Sequence, residues 1–573
     1  MKSLITKQGT LFLIALSLFT LANAQAKKKS IVKVTGQMGL YGDFYKMKSD
    51  TVGAVKARRP SFLGRAVVNT TFSIKDFSLP ITLSLASNQQ SAIIQAPLPM
   101  SGFNINELRR QIGNPLNRIG IAPKYKWMQV LLGSQIPNYS KLSVGDLSVF
   151  GAGLNLTPGK FRFSCFVGKY QLAVEEDTTK NITGIYARKI YSAKIGLGHE
   201  DSSHLYLIMS YMADDTSSLD YRPSSLLPQT GTMSSIDYRI NLGKKLYVSG
   251  ELAGSAFTRN MMSPEVKSFS PAIPAFIFIP TYSSRFDYAG ILNIGKTGKV
   301  FGIRTSAKYY GDGFVPLGYP FMQMDRLEVS VNPRFNLFQS KFQLSGSVGR
   351  RVNNLSGIRG ATSTQDIGAA NLNIQFSPSF SLSANYSNFG FRNTNTNDTF
   401  KVEMVTNSWS VSPSLLLSNE VRMHTISLMY SQNDFVDFNT ISGSLNNNEA
   451  MNALVSYSFG LMAKPLSVTT VLSYFDNKSS IGKIKTKSAN VSLGYSFFKR
   501  KLSTSAGLTF SENTFNNLES GFQVLQRMSL KYRIKKKIRI GLTGSINLFE
   551  YGVSRPGISY RENLLRTFIT YKF

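Results

Sequence analysis

The side chains best placed for chemistry in this 573-residue chain are cationic and spaced by two. Arg527, Lys531, Arg533 and Arg539 share one parity of two consecutive alternating stretches, while Met528, Leu530, Tyr532 and Ile540 hold the other. Arg162, Arg239, Arg304, Lys308, Arg326, Arg334 and Arg566 occupy equivalent positions elsewhere. Rows of such groups do electrostatic work: they lower the barrier for an anion passing beside them. Acids of that parity are fewer, Glu251 and Glu328 among them. The alternative is that many of these cations sit near turns and simply meet solvent or lipid phosphates.

Other chemistries find little support. His199, His204 and His424 are the only histidines. His199 and His204 flank Glu200 and Asp201 at a spacing that can serve a metal, but a solvated turn explains them better. No motif marks a Ser, His and Asp constellation. Gly311-Asp312-Gly313 is a turn and not a phosphate cradle. Cys165 is the single cysteine, which excludes an intramolecular disulfide and a cysteine-rich metal site. No catalytic residue, cofactor site or metal site is expected, and the chain does not read as an enzyme.

The elements that must position the cations are strands. Met528, Leu530, Tyr532 and Ile534 alternate with Ser529, Lys531 and Arg533; after Lys535-Lys536-Lys537 the alternation resumes with Ile538, Ile540 and Leu542. A second hairpin runs through Leu372, Ile374 and Phe376, turns at Ser377-Pro378-Ser379, and returns through Phe380, Leu382 and Ala384. Tight turns centre near residues 75, 126, 158, 201, 244, 297, 339, 378, 420, 463, 499 and 536. Polar loops alternate with them, such as 214–231, 351–365, 390–405 and 433–450. This predicts an all-β chain: one antiparallel transmembrane β-barrel of about 26 strands (24–26), with short periplasmic turns and longer extracellular loops. A solenoid or a soluble multi-sheet protein would share the period.

Both ends agree with a barrel. Lys2 and Lys7, the apolar run 11–19 and Ala22-Asn23-Ala24 predict a cleaved secretory signal over 1–24 and a barrel domain over 25–573. The apolar run is shorter than the ~20 residues a membrane-crossing helix needs. The last residues alternate and stop on an aromatic, with Ile569, Tyr571 and Phe573 on one face. This resembles the closing strand that the barrel-assembly machinery recognises in outer-membrane barrels. Hydrophobic content is only 42%, as expected where lipid-facing and lumen-facing residues alternate. A net charge of +33 in a soluble protein would suggest nucleic acid. In an exported one it points to an anion-attracting lumen or to lipid head groups, and no nucleic acid is expected.

Three loops are more apolar than free exposure favours: 271–280, with Pro274, Phe276, Phe278 and Pro280; 314–322, with Phe314, Tyr319 and Phe321; and 93–100. Their prolines disfavour strand ladders. They are candidates for a constriction folded into the lumen or a patch offered to a partner; packing at the rim is the alternative. Residues 106–112 read as a short helix in the pore mouth. Only 25–30 precede the first expected strand, 31–45, so no plug domain is expected.

Several segments, Tyr41-Gly42-Asp43-Phe44-Tyr45, Arg58-Arg59-Pro60, Ile121-Ala122-Pro123-Lys124-Tyr125-Lys126-Trp127, Gly151-Ala152-Gly153-Leu154 and Gly159-Lys160-Phe161-Arg162-Phe163, resemble large porin-like outer-membrane β-barrel proteins of the Bacteroidota. The resemblance implies location and fold and carries no residue roles. Large barrels of that phylum also serve as ports or anchors for surface proteins. The expectation is therefore a porin-like channel in the Gram-negative outer membrane, with a basic lumen for small anionic or polar solutes. The alternative is a scaffold or export port plugged by a secreted or surface-protein partner. Expected partners are outer-membrane lipid and the barrel-assembly machinery.

Overall fold

Period-two alternation sorts side chains onto two faces, and a sheet that closes on itself makes those faces an inside and an outside. The computed structural model of this chain describes residues 32–50, 55–86, 117–145, 147–266, 278–319, 322–462, 464–535, 537–553 and 556–573. Its strands are numbered β1 to β27 along the chain. β4 (Arg118–Ile121) and β5 (Lys124–Tyr125) both lie between β3 (Phe77–Ala86) and β6 (Met128–Gln135). They are two halves of one strand, interrupted at Pro123, which has no N–H to give a ladder. Counted so, the 27 segments form a closed antiparallel barrel of 26 strands.

Closure is made by the chain ends. β1 (Lys33–Ser49) pairs with β2 (Phe62–Ile74) on one side and with β27 (Ser559–Lys572) on the other. Gln37 lies opposite Lys572, Ser49 lies opposite Tyr560, and the Phe573 N–H donates to the Gly36 carbonyl at 3.1 Å. Pairing both edges satisfies backbone groups that lipid cannot. β1 runs past the expected Tyr45 to Ser49; Ile31 lies outside the described residues.

Tight turns gather at one end. Phe338, Gln339 and Ser340 all have positive φ, as do Phe498, Lys499 and Arg500. At the other end strands reach into segments expected as loops. β16 (Phe342–Asn353) and β17 (Ser363–Gln375) leave only 354–362 between them, and β20 (Arg422–Asp437) and β21 (Asn448–Leu461) leave 438–447. Two loops shrink to two residues and correct the expectation of long ones: Ser480-Ile481 between β22 (Leu466–Ser479) and β23 (Gly482–Phe497), and Asn516-Asn517 between β24 (Leu502–Phe515) and β25 (Leu518–Ile534). Asn516 and Asn517, at φ 51° and 65°, make the left-handed two-residue turn that suits twisted strands.

The outer face carries exposed aliphatics such as Leu205, Leu207 and Met209 on β10 (His204–Asp215), whose alternate residues Tyr206, Ile208 and Met212 are buried inside. Aromatic groups bound the outer band. Near the turns lie His424 with Tyr457 and Phe459, and Tyr571 with Phe573. Higher up lie Tyr191 with Tyr211, Tyr288 with Tyr309, and Trp409 with Tyr430. The upper pairs stand about ten residues from their turns, which at ~3.3 Å per residue and a tilt of roughly 40° is a height of about 25 Å. That matches the apolar band of a membrane barrel. Outward polar pairs, Arg350 with Asp366 at 2.6 Å and Asn388 beside Asn407, begin only beyond the upper belt. No described helix is long and apolar enough to cross a membrane.

Candidate functional site: the lumen wall and its inward segments

One sector of the inner wall is thickened by chain folded inward. Residues 136–145, after β6, close a tight turn in which the Tyr139 N–H donates to the Val144 carbonyl at 2.8 Å. Tyr139 and Val144 pack on inner residues Ile190, Tyr206 and Ile208, and Leu142 packs on Met233, Ala253 and Ala289. Burial pushes the Tyr139 hydroxyl up, so it stays protonated. Residues 311–319, after β14 (Phe301–Tyr310), cover this turn. Phe314 is fully buried in the second cluster and Leu317 joins the first. The Tyr319 hydroxyl donates to the Ser140 carbonyl at 2.9 Å, and the Tyr170 hydroxyl donates to the Leu317 carbonyl at 3.1 Å.

Charge fastens these segments to the wall. Glu251 and Asp237 face each other across β12 (Leu246–Thr258) and β11 (Thr230–Leu242). Glu251 is 4% exposed, and its Oε2 accepts from the backbone N–H groups of Lys141 and Leu142, both at 3.2 Å. Asp237 Oδ2 lies 3.4 Å from His204 Nε2. Lys194 is buried beside them, 3.0 Å from Glu200 and 4.3 Å from the centre of the Tyr206 ring. At the 311–319 segment, the Gly313 N–H donates to Asp287 and the Val315 N–H donates to the Ser255 hydroxyl, at 2.8 and 3.1 Å.

The cations singled out from the sequence fall on the inner parity of their strands, but in different company. Lys308 is 2.7 Å from Glu328, whose other oxygen meets Arg351 at 3.0 Å, so this charge is compensated. Arg566 lies 3.4 Å from Asp43. Arg162 donates to the carbonyls of Gly159 and Phe161 at the turn and contacts His199 Nδ1 at 2.6 Å. Arg239 and Arg326 lie over the rings of Tyr247 and Tyr310, at 4.3 and 4.4 Å. Arg304 and Arg334 are exposed. Arg527, Lys531, Arg533 and Arg539 are exposed too, and none makes an ion pair among the described residues.

These last four lie along the inner parity of one strand pair. Arg533 lies opposite Arg539 across β25 and β26 (Ile538–Tyr551), and Lys531 lies opposite Gly541. Arg539 is opposite Thr570 and Arg566 opposite Thr543, which carries the set onto β27. Across the seam Arg65 stacks on Tyr41 at 5.1 Å.

The apolar-loop residues divide. Phe314 and Tyr319 are inside the barrel. Phe278 is buried beside a cavity of about 850 Å³ on the outer side, lined by Cys165, Tyr191, Met209 and Tyr211; Pro280 adjoins it, its carbonyl accepting from the Val266 N–H at 3.0 Å. Pro274, Phe276, Phe321 and the segments 93–100 and 106–112 lie outside the described residues. Ile569 and Tyr571 are on the outer parity of β27, and the Tyr571 ring meets Phe573 at 4.8 Å. The turn 136–145 was not singled out from the sequence. Its one signal is that Pro137, Tyr139, Leu142 and Val144 put bulky residues into a connection otherwise polar. Among the described residues no group of three His, Cys, Asp or Glu side chains can hold a metal.

No family model and no curated protein matches the chain. Solved structures with some likeness include Acinetobacter baumannii OccAB4, 13% identical with a TM-score of 0.28 over 72% of this chain and 96% of that one. Pseudomonas aeruginosa OpdK with vanillate is 10% identical, TM-score 0.31, over 60% and 93%. The P pilus usher (PapC) translocation pore is 9% identical, TM-score 0.30, over 94% and 100%. At such scores none of these barrels overlays on this one, and nothing about solute or partner carries over.

Proposed function

We propose that this chain is a porin-like channel of the Gram-negative outer membrane, exported by a cleaved signal over 1–24 and inserted by the barrel-assembly machinery. Its path runs between the inward-folded sector and the basic seam, and it passes small anionic or polar solutes. The observation that carries the reading is the set of seam cations: Arg527, Lys531, Arg533 and Arg539 are exposed on the inner wall without ion-pair partners among the described residues. Uncompensated cations on a water-filled wall with low-dielectric surroundings concentrate anions. No catalytic role belongs to the reading: His199 contacts Arg162 at a turn, His204 stacks on Tyr206, and His424 faces outward among aromatic rings.

Barrel size supports a second reading. Barrels of 16–18 strands already leave an aqueous channel, and the described inward segments thicken only one sector of a 26-strand ring. A secreted or surface-protein partner seated against the remaining wall would make the barrel a scaffold or export port. Reconstitution of the purified barrel into planar bilayers separates the two. Discrete channels with an anion-directed reversal potential support the first reading. Silent or cation-preferring barrels that co-purify with a stoichiometric partner support the second.

A further inference from the structure

The inner wall opposite the inward segments is free of charge over a long arc. From β17 to β24, register pairing fixes which residues face inward. Along β18 (Phe380–Asn393) the inward residues are serines and asparagines up to Ser387; along β19 (Glu403–Ser418) they run Thr406, Ser408, Ser410, Ser412 and Ser414. β20 to β24 continue with mostly serine, threonine and asparagine, interrupted by Met423, Met429, Leu454, Val471 and Ile484. The single charged side chain among the described inward positions of this arc is Asp437, at the loop end. There it accepts from the Asn439 N–H, the Ser442 hydroxyl and the Asn446 amide, which holds it in a local cap.

These side chains are not idle. Asn433 donates to Ser408 at 2.6 Å, Asn385 to Ser410 at 3.3 Å, Asn490 to Thr509 at 2.7 Å, and Ser488 and Ser511 meet at 2.9 Å. The wall is thus a sheet of paired hydroxyls and amides, each able to donate and accept, repeating at the ~4.8 Å spacing between strands. Above it, at the loop end of the same arc, the inner residues include Phe389, Phe391, Phe435, Phe475 and Phe515. Phe389 and Phe515 are 38% and 40% exposed.

We propose that this arc is a binding track for uncharged, polyhydroxylated chains, that is, neutral oligosaccharides. The track rests on the channel reading and assigns it a second solute class, apart from the anions of the seam. Ionic ligands gain little from a wall whose one formal charge is capped at the loop end, and apolar ones would strip water from hydroxyls and amides without replacing it. A sugar chain presents the same mixture of donors and acceptors, so bonds are exchanged rather than lost. Its apolar ring faces match the aromatic entry, where ring contacts are largely independent of charge. Weak, repeated, interchangeable contacts are what a track needs, since a ligand must leave as well as enter.

Current recordings test this with cellohexaose and maltohexaose, and with polyethylene glycol of equal hydrodynamic size as the control. Sugar should interrupt the current in resolved, concentration-dependent blocks that the glycol does not reproduce. The pair Phe389→Ala and Phe475→Ala should shorten the blocks about fivefold, while Arg350→Gln on the outer face should leave them unchanged. Open channels without sugar-specific blocks overturn the track and leave the channel reading intact. If the barrel does not conduct, the channel reading fails, and equilibrium dialysis of labelled cellohexaose against the detergent-solubilised barrel decides the track by itself. Saturable uptake that the Phe389 and Phe475 substitutions weaken supports it. No uptake, or uptake only of an uncharged Gly/Ser peptide, overturns it.

Discussion

Glu251 and Leu142 stand 109 residues apart in the chain, and the Leu142 N–H donates to the Glu251 carboxylate at 3.2 Å. The bond ties an inward turn to the wall from beneath, and the neighbouring Lys141 N–H doubles it. Leaving buried N–H donors without their acceptor costs about 1–3 kcal/mol. Glu251→Ala should therefore destabilise the barrel by about 2–3 kcal/mol, read as a lower urea midpoint. It should also free residues 136–145 from the wall, read as a changed and noisier single-channel conductance. Unchanged conductance and midpoint would remove the tether.

Replacing the unpaired seam cations has a different signature. Arg527→Gln, Lys531→Gln, Arg533→Gln and Arg539→Gln together should leave folding intact and move the reversal potential in a salt gradient toward zero. The change should be large at 0.1 M salt, where screening reaches about 10 Å, and small at 1 M, where it reaches about 3 Å. A shift that persists unchanged at 1 M salt would point to altered pore shape and not to charge.

The Lys308, Glu328 and Arg351 chain predicts the opposite sign. Glu328→Gln leaves two inward cations uncompensated, so anion preference should rise. The stability cost should stay within about 1 kcal/mol, because all three side chains keep some contact with solvent. Reversal potential and urea midpoint, measured on the same preparation, check both halves of the statement.

The parity assignment itself can be tested chemically. Cys165 lies opposite Leu154 and Ala193 on the outer face, within the aromatic belts. In proteoliposomes it should react with an apolar maleimide and resist a charged one. In a Cys165→Ser background, Ser410→Cys on the inner wall should show the reverse preference. Equal labelling of both positions by the charged reagent would contradict the two faces.

How much of this was readable beforehand depends on what makes each feature periodic. Strand number and turn positions were legible, because a lipid face demands alternation between fixed turns, as in Met528 to Ile534. Strand ends were not: above the upper belt both faces meet water, so the pairing of Asp366 with Arg350 leaves no apolar trace in the sequence. The compensation of Lys308 was half visible, since Glu328 shares its parity, but only register brings the two to 2.7 Å. The inward turn at 136–145 was invisible because its burial comes from Ile190, Ile208 and Met233, contributed by strands far along the chain. Its anchor, Glu251, looked like one more inward acid.

The pairing of Gln37 with Lys572 also sets a timetable. Neighbouring hairpins can form as soon as their two strands exist, since the loops they close are short. The last ladder joins β1 to β27, the strands farthest apart in the described chain, so it closes the longest loop of all. Until it forms, the sheet carries two raw edges and a band of apolar side chains, the condition in which polypeptides aggregate. The slow step of folding should therefore be the docking of β27 onto β1.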